Sequence, residues 1–158
     1  MTVHLITDRG ITHEIVRHRI ASFTQESTRY CNYSKDKFGN QLTFIRPVWI
    51  DDDRILSGKF YGDYKKDISI WLESMAMAES NYMRLIELGL IPQQARAVLP
   101  NSLKTEIMVS ANYREWCHIF KLRAIEKAAH PQMRALLLPL YEYCRINLPS
   151  VFDLGDPE

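Results

Sequence analysis

The sequence is short of the features that would commit it to a secreted, membrane or metal-scaffold class. Only three cysteines, Cys31, Cys117 and Cys144, occur in 158 residues. They are odd in number and form no Cys-x-x-Cys pair, which removes a disulfide framework or a zinc knuckle as the organising device. No apolar run approaches the roughly 20 residues that a membrane-spanning helix needs, and no charged-then-apolar leader is seen. A reduced, cytoplasmic setting is expected. No Gly-x-Ser-x-Gly occurs, and without it the sharp turn that exposes a hydrolase serine is not expected. Charge of one sign is also lacking. Twenty basic residues against nineteen acidic ones leave a net charge of +1, so the domain-wide basic face of a nucleic-acid-binding module is missing. There is no internal repeat and no sign of a second domain. We expect one domain over residues 1–158, long enough to bury a real core.

What is present is a local concentration of arginine. Twelve of the twenty basic residues are Arg, and three of them, Arg17, Arg19 and Arg29, fall within residues 17–30. That stretch, Arg17-His18-Arg19-Ile20-Ala21-Ser22-Phe23-Thr24-Gln25-Glu26-Ser27-Thr28-Arg29-Tyr30, carries one acid, Glu26, and several hydroxyls. Guanidinium forks suit phosphate oxygens, and hydroxyl or amide donors suit the carbonyls of a ring. The composition points to an anionic ligand with polar edges.

Along the chain, residues 2–7 read as a strand with Val3 and Leu5 on one face. Asp8 can cap a helix from Arg9 that buries Ile11 and Ile15 and ends near Arg19. Residues 31–40 read as an exposed loop, and 41–47 as a strand stopped by Pro47. The clearest helix covers residues 64–88. Its apolar stripe is Ile68, Trp71, Leu72, Met75, Ala78, Tyr82, Leu85 and Ile86, and Gly89 stops it. A short helix starts at Ile91-Pro92. Ile107 and Val109 alternate in a strand over 102–111. A helix over 112–123 buries Trp116 and Phe120, and His130-Pro131 opens the last helix, with Pro139 inside it. Residues 149–158 read as a polar tail.

Several chemical readings fail on spacing. His13-Glu14-Ile15-Val16-Arg17-His18 is one residue too long for a zinc-protease helix. Two His five apart lie about 140° from each other around a helix, so no metal is expected there; the pairs that share a face are His13 with Arg17 and Glu14 with His18. Asp51-Asp52-Asp53 reads as a solvated helix start. The three thiols read as buried or incidental.

The spacing Arg17-His18-Arg19, seven residues, then Ser27, followed by Arg29-Tyr30, resembles the signature of the flavin-dependent thymidylate synthases. Arg96-Ala97-Val98-Leu99-Pro100, Asn112-Tyr113-Arg114-Glu115-Trp116, Leu122-Arg123 and Ala129-His130-Pro131-Gln132 resemble further elements of that family, in the family's order. Two departures stand out. Members usually carry a few dozen more residues before the position of Val3, so a chain truncated at its N-terminal side is expected. Many members also have Asn where His118 stands.

The resemblance implies an α/β (α+β) fold with an antiparallel-leaning sheet, a homotetramer with sites shared between subunits, and reductive methylation of deoxyuridine monophosphate (dUMP) to thymidylate (dTMP). Carbon would come from methylene-tetrahydrofolate, and electrons from NADPH through flavin adenine dinucleotide (FAD). It implies Arg123 as the catalytic group that favours negative charge on the uracil edge. Glu14, Arg17, Gln25, Glu26, Ser27, Thr28, Arg29, Arg96 and Arg123 would bind dUMP. Arg17, His18, Arg19, Gln25, Asn112, Tyr113, Arg114 and His118 would bind FAD. Two alternatives stand beside it: a catalytically incomplete homologue that binds dUMP without turnover, and a nucleic-acid-binding module, which the near-zero net charge disfavours.

Overall fold

The computed structural model describes residues 1–50 and 64–156, so Asp51-Asp52-Asp53 lies outside the described residues. β1 (Thr2–Asp8) leads directly into α1 (Arg9–Ile15), and β2 (Ser22–Gln25) follows a turn. A 3-10 turn at Asp36–Phe38 precedes α2 (Tyr64–Glu87) and α3 (Pro92–Ala95), which a second 3-10 turn, Arg96–Val98, extends. Then come β3 (Lys104–Ser110), α4 (Tyr113–Phe120), a π-helical turn (Lys121–Ile125), α5 (Pro131–Asn147) and α6 (Pro149–Phe152). This is the expected α+β class. Contacts divide the chain into two compact units, Met1–Gln25 with Glu106–Glu158, and Glu26–Thr105.

The first unit holds the sheet, in the order β1-β3-β2. β2 runs antiparallel to β3, with Ser22 opposite Ser110 and Gln25 opposite Ile107. On the other side of β3 the hydroxyls of Thr2 and Ser110 meet at 2.7 Å, and His4 Nε2 meets Glu106 Oε2 at 3.0 Å, so β1 is antiparallel too. Alternation turns Leu5, Ile107 and Val109 to one face, where they join Ile11, Ile15, Trp116, Ile119, Phe120, Met133, Leu137 and Tyr141 in one core. The expected polar tail is not one. α6 buries Phe152 completely, with its ring 5.6 Å from Phe120 and 5.7 Å from Tyr113. Tyr141 Oη donates to Gly155 O at 2.6 Å and pins the segment beyond it. One large apolar residue behind a helix-starting proline outweighs the polar composition around it.

The second unit packs Tyr33, Leu42, Tyr82, Ala95 and Leu103 together. Tyr82 is fully buried, and its hydroxyl accepts from Tyr33 N and donates to Cys31 O, each at 3.4 Å. The α2 stripe holds for Met75 and Tyr82, which are buried, and for Leu85 and Ile86, which pack against the same core, but Leu72 is 54% exposed. Three residues are 60° short of a full turn, so Leu72 lies off the line through Met75. The strand expected over 41–47 is reduced to one bridge, Phe44 with Leu103, flanked by Ile45 N to Ser102 O at 2.8 Å and Lys104 N to Thr43 O at 2.9 Å. Pro47 and Pro100 bracket it, and neither has an amide hydrogen to extend a ladder. Gly89 ends α2 with a positive φ of 91°. Among the described residues no helix is long and apolar enough to cross a membrane.

Candidate active site

The site in the first unit starts from how α1 ends. Asp8 Oδ1 caps the helix by accepting from Ile11 N at 2.8 Å. Ile11 and Ile15 anchor it in the core. It stops at Ile15, four residues before the expected end near Arg19. Arg17 N and His18 N reach back only three residues, to Glu14 O and Ile15 O at 3.2 Å each. The Arg17-His18-Arg19 triplet is therefore a turn. His18 is buried, while Arg17 and Arg19 are exposed. The expected pairing of Glu14 with His18 along one helix face does not form, because the helix is gone before His18.

The other wall comes from α4. Asn112 Oδ1 accepts from Glu115 N at 2.8 Å and caps the helix. Trp116, Ile119 and Phe120 turn into the core, which leaves Glu115 and His118, three residues apart, on another face. Beyond Phe120 the expected helix widens into the π-helical turn that carries Arg123. Such turns are frequent at functional positions.

These elements converge on Arg123. Its Nη1 donates to Glu14 Oε2 at 2.9 Å, and its Nε donates to His18 Nε2 at 3.3 Å. His18 Nδ1 lies 3.4 Å from Glu115 Oε1. The His118 ring stands edge-on to His18 with centroids 5.6 Å apart. Burial pushes the His18 pKa below its ordinary value; the Arg123 charge lowers it further, and Glu115 opposes. A cleft of about 880 Å³ opens here. Four guanidinium groups line it, from Arg17, Arg19, Arg114 and Arg123, with both imidazoles, Glu115, and apolar wall from Ile20 and Leu122. It can hold a multiply charged anion that has an apolar or flat part.

His18, Glu115 and His118 offer three ligand atoms within 4.8 Å of one another, which is a metal-ligand set by residue type. The surroundings oppose a cation. Four arginines face the same space against one lining carboxylate, and His18 Nε2 already accepts from Arg123. The cluster is better suited to passing hydrogen bonds than to holding a dication.

The residues expected around flavin thus gather in part. Arg17, His18, Arg19, Asn112, Arg114 and His118 share the cleft. Tyr113 is half-exposed and packs on Phe152 instead. Gln25 Nε2 donates to Thr12 Oγ1 at 2.8 Å. Of the residues expected on the nucleotide, Glu14, Arg17, Gln25 and Arg123 stand in this unit. Glu115 was not among the expected site residues. Its signal lay in the order Asn112, Glu115, His118: a capped helix start with an acid and an imidazole one turn apart.

The second unit carries Glu26, Ser27, Thr28, Arg29 and Arg96. Residues 27–31 make a tight turn, with Tyr30 N and Cys31 N both bonded to Ser27 O at 3.0 Å. Ser27 Oγ accepts from Arg29 N at 3.3 Å. Arg29 Nε donates to Gln93 Oε1 at 2.9 Å, and its guanidinium lies 5.4 Å over the Tyr30 ring. Arg96 Nη1 reaches the buried Thr28 hydroxyl at 3.4 Å. Glu26 accepts from Tyr33 Oη at 2.6 Å and lies 4.0 Å from Lys104 Nζ. Burial raises the thiol pKa of Cys31, Cys117 and Cys144, and Glu26 adds to the effect at Cys31. None of the three is set up as a thiolate nucleophile.

The model of a family described as thymidylate synthase complementing protein matches residues 1–150. The chain is 40% identical over 120 residues to the flavin-dependent thymidylate synthase of Pyrococcus furiosus, covering 76% of this chain and 44% of that protein. It is 31% identical over 149 residues to that of Geobacter sulfurreducens, covering 94% and 57%. It is 32% identical over 152 residues to that of a Mycobacterium species, covering 91% and 57%. The chain spans about half the length of the curated relatives it matches. With the family's arginine elements in order and the match running over nearly the whole sequence, this chain belongs to the thymidylate synthase complementing protein family.

Proposed function

We propose that this chain catalyses the reductive methylation of dUMP to dTMP as a flavin-dependent thymidylate synthase, in the cytoplasm and as a homotetramer. Methylene-tetrahydrofolate would give the carbon, NADPH the electrons, and FAD would be the bound cofactor. The names of the relatives support the flavin. The donor set fits FAD in particular: four guanidinium groups suit a pyrophosphate, and Ile20, Leu122 and the His118 ring offer apolar or flat wall. Arg17, His18, Arg19, Asn112, Arg114 and His118 would hold it, with Tyr113 and Gln25 at its margin. When bound, FAD supplies the hydride chemistry.

The chain's own residues then divide the work. In the second unit, Arg29 and Arg96 would bind the nucleotide phosphate or sugar, and Glu26, Ser27 and Thr28 would orient it. In the first unit, Glu14, Arg17 and Gln25 would contact a nucleotide, in the same or another copy. Arg123 acts on the base. Uracil C5 is a poor nucleophile, and negative charge at N3 and O4 delocalises toward it. A permanent cation on that edge favours the charge as it grows. In a tetramer, the residues meeting one nucleotide come from more than one copy.

The observation that carries this reading is the fixation of Arg123 from two sides, by Glu14 at 2.9 Å and His18 at 3.3 Å, on the wall of an arginine-lined cleft. The test is direct. The purified protein, supplied with dUMP, methylene-tetrahydrofolate, NADPH and FAD, is expected to form dTMP, and to form none when FAD is omitted and stripped. Protein that binds neither FAD nor dUMP and makes no dTMP would sink the reading.

A further inference from the structure

Both ring nitrogens of His18 are committed, and in a fixed sense. The Nε–H of Arg123 is always a donor, so at 3.3 Å the His18 Nε2 must accept. The one ring hydrogen of neutral His18 then sits on Nδ1, which lies 3.4 Å from Glu115 Oε1. Glu115 is itself fixed. Its side chain is only 9% exposed, and its amide is tied to Asn112 Oδ1 at 2.8 Å. A buried carboxylate is costly unless it is paired or hydrogen-bonded. Here it faces a buried imidazole, with His118 beside it.

We propose that Glu115 is a positioning residue: it holds His18 in the Nδ1–H tautomer, so that Nε2 accepts from Arg123 and sets the angle of its guanidinium against the base. The relay runs Asn112, Glu115, His18, Arg123, and Glu14 closes it from the other side. In the opposite tautomer, Nε2–H would face Arg123 Nε–H, two donors with no acceptor between them, and the guanidinium would turn away. Glu115 touches no substrate in this scheme. The catalytic role of Arg123 rests on the function proposed above; the tautomer of His18 does not.

The titratable or charged groups around His18 are Glu115 and His118 from α4, Arg123 from the π-helical turn, and Arg17 and Arg19 beside it in the chain. Glu14 meets it only through Arg123. Among these Glu115 is the group recorded against Nδ1, at 3.4 Å, which makes it the group to change.

The test joins a spectroscopic and a kinetic reading. Nitrogen-15 NMR of histidine-labelled protein at neutral pH is expected to show His18 with Nδ1 protonated and Nε2 bare. Glu115→Ala should mix or reverse the tautomers. It should also lower kcat by about 10- to 100-fold, as misplacement of a reacting group does, with KM for dUMP within about threefold. Glu115→Gln keeps a carbonyl acceptor and should restore the Nδ1–H form and most of kcat. An Nε2–H or doubly protonated His18 in the wild type overturns the proposal, and so does Glu115→Ala with the wild-type tautomer and wild-type kcat. If Glu115→Ala does not fold, the wild-type spectrum together with the Glu115→Gln spectrum decides. If no variant or wild type makes dTMP, the functional reading fails and the tautomer result still stands or falls by itself.

Discussion

The two groups of arginines are held in different ways. Arg123, in the first unit, is half-buried and gripped by a carboxylate and a buried imidazole. Arg29 and Arg96, in the second, are exposed, and their partners among the described residues are neutral: Gln93, the Tyr30 face and the Thr28 hydroxyl. A guanidinium tied to neutral groups keeps its charge available to an incoming phosphate. One fixed by Glu14 and His18 is preorganised, with its direction set before any ligand arrives. Under the proposed function, the neutral-partnered arginines would serve affinity and the fixed one would serve the transition state.

The largest expected effect is on Arg123. Arg123→Ala should reduce kcat by about 10²–10³, the usual loss for one preorganised donor to a developing oxyanion. KM for dUMP should move far less, and steady-state kinetics reads both. Next come the exposed arginines. Arg29→Ala and Arg96→Ala should each weaken dUMP binding by about 10- to 100-fold, since a hydrogen bond to a charged group is worth about 1.5–3 kcal/mol. Their kcat at saturation should stay within about threefold, and calorimetric titration of dUMP supplies the affinities.

A smaller change tests the grip itself. The Glu14 side chain is 35% exposed and that of Arg123 24%, so solvent screens their pairing and its net contribution is modest. Glu14→Gln keeps one hydrogen-bond acceptor. It should lower kcat by only about two- to fivefold, less than Glu115→Ala does, if the imidazole side sets the angle.

Burial and Arg123 lower the folded-state pKa of His18 below its unfolded value near 6.5. Between those two values the unfolded chain binds more protons than the folded one. Stability from this group is therefore complete above about pH 6.5 and falls as pH drops toward the folded value. Urea midpoints measured from pH 7.5 to 5.5 should decline in the wild type and decline less in His18→Gln. The cysteines should matter least. Replacing all three by Ser or Ala in a folded protein should leave loss of tritium from C5 of dUMP intact, because burial keeps each thiol protonated. Abolition of the signal would point to a cysteine adduct.

Local elements were legible in the sequence because their causes are local. Asp8 caps the helix at Arg9 as expected, and the helices expected from 112 and from His130-Pro131 begin there. Alternation at Ile107 and Val109 found the central strand. The family signature likewise pointed to Arg123 and the arginine triplet. Partnerships distant in sequence were not legible. Glu14 with Arg123 spans 109 positions and Arg123 with His18 spans 105, so neighbour rules pointed to Glu14 with His18 instead. Glu115 escaped notice because its value depends on a histidine delivered from another element. Phe152 was hidden by the polar residues around it, since composition averages over a segment while burial acts on single side chains.

The division of labour between held and available arginines is tested most directly by one comparison. Tritium loss from C5 of dUMP is followed in a single turnover, at dUMP concentrations that saturate each variant. Arg123→Ala is expected to be slowed by about 100-fold or more, while Arg29→Ala and Arg96→Ala run close to the wild-type rate. Equal slowing of all three, or an Arg123→Ala protein as fast as wild type, would contradict it.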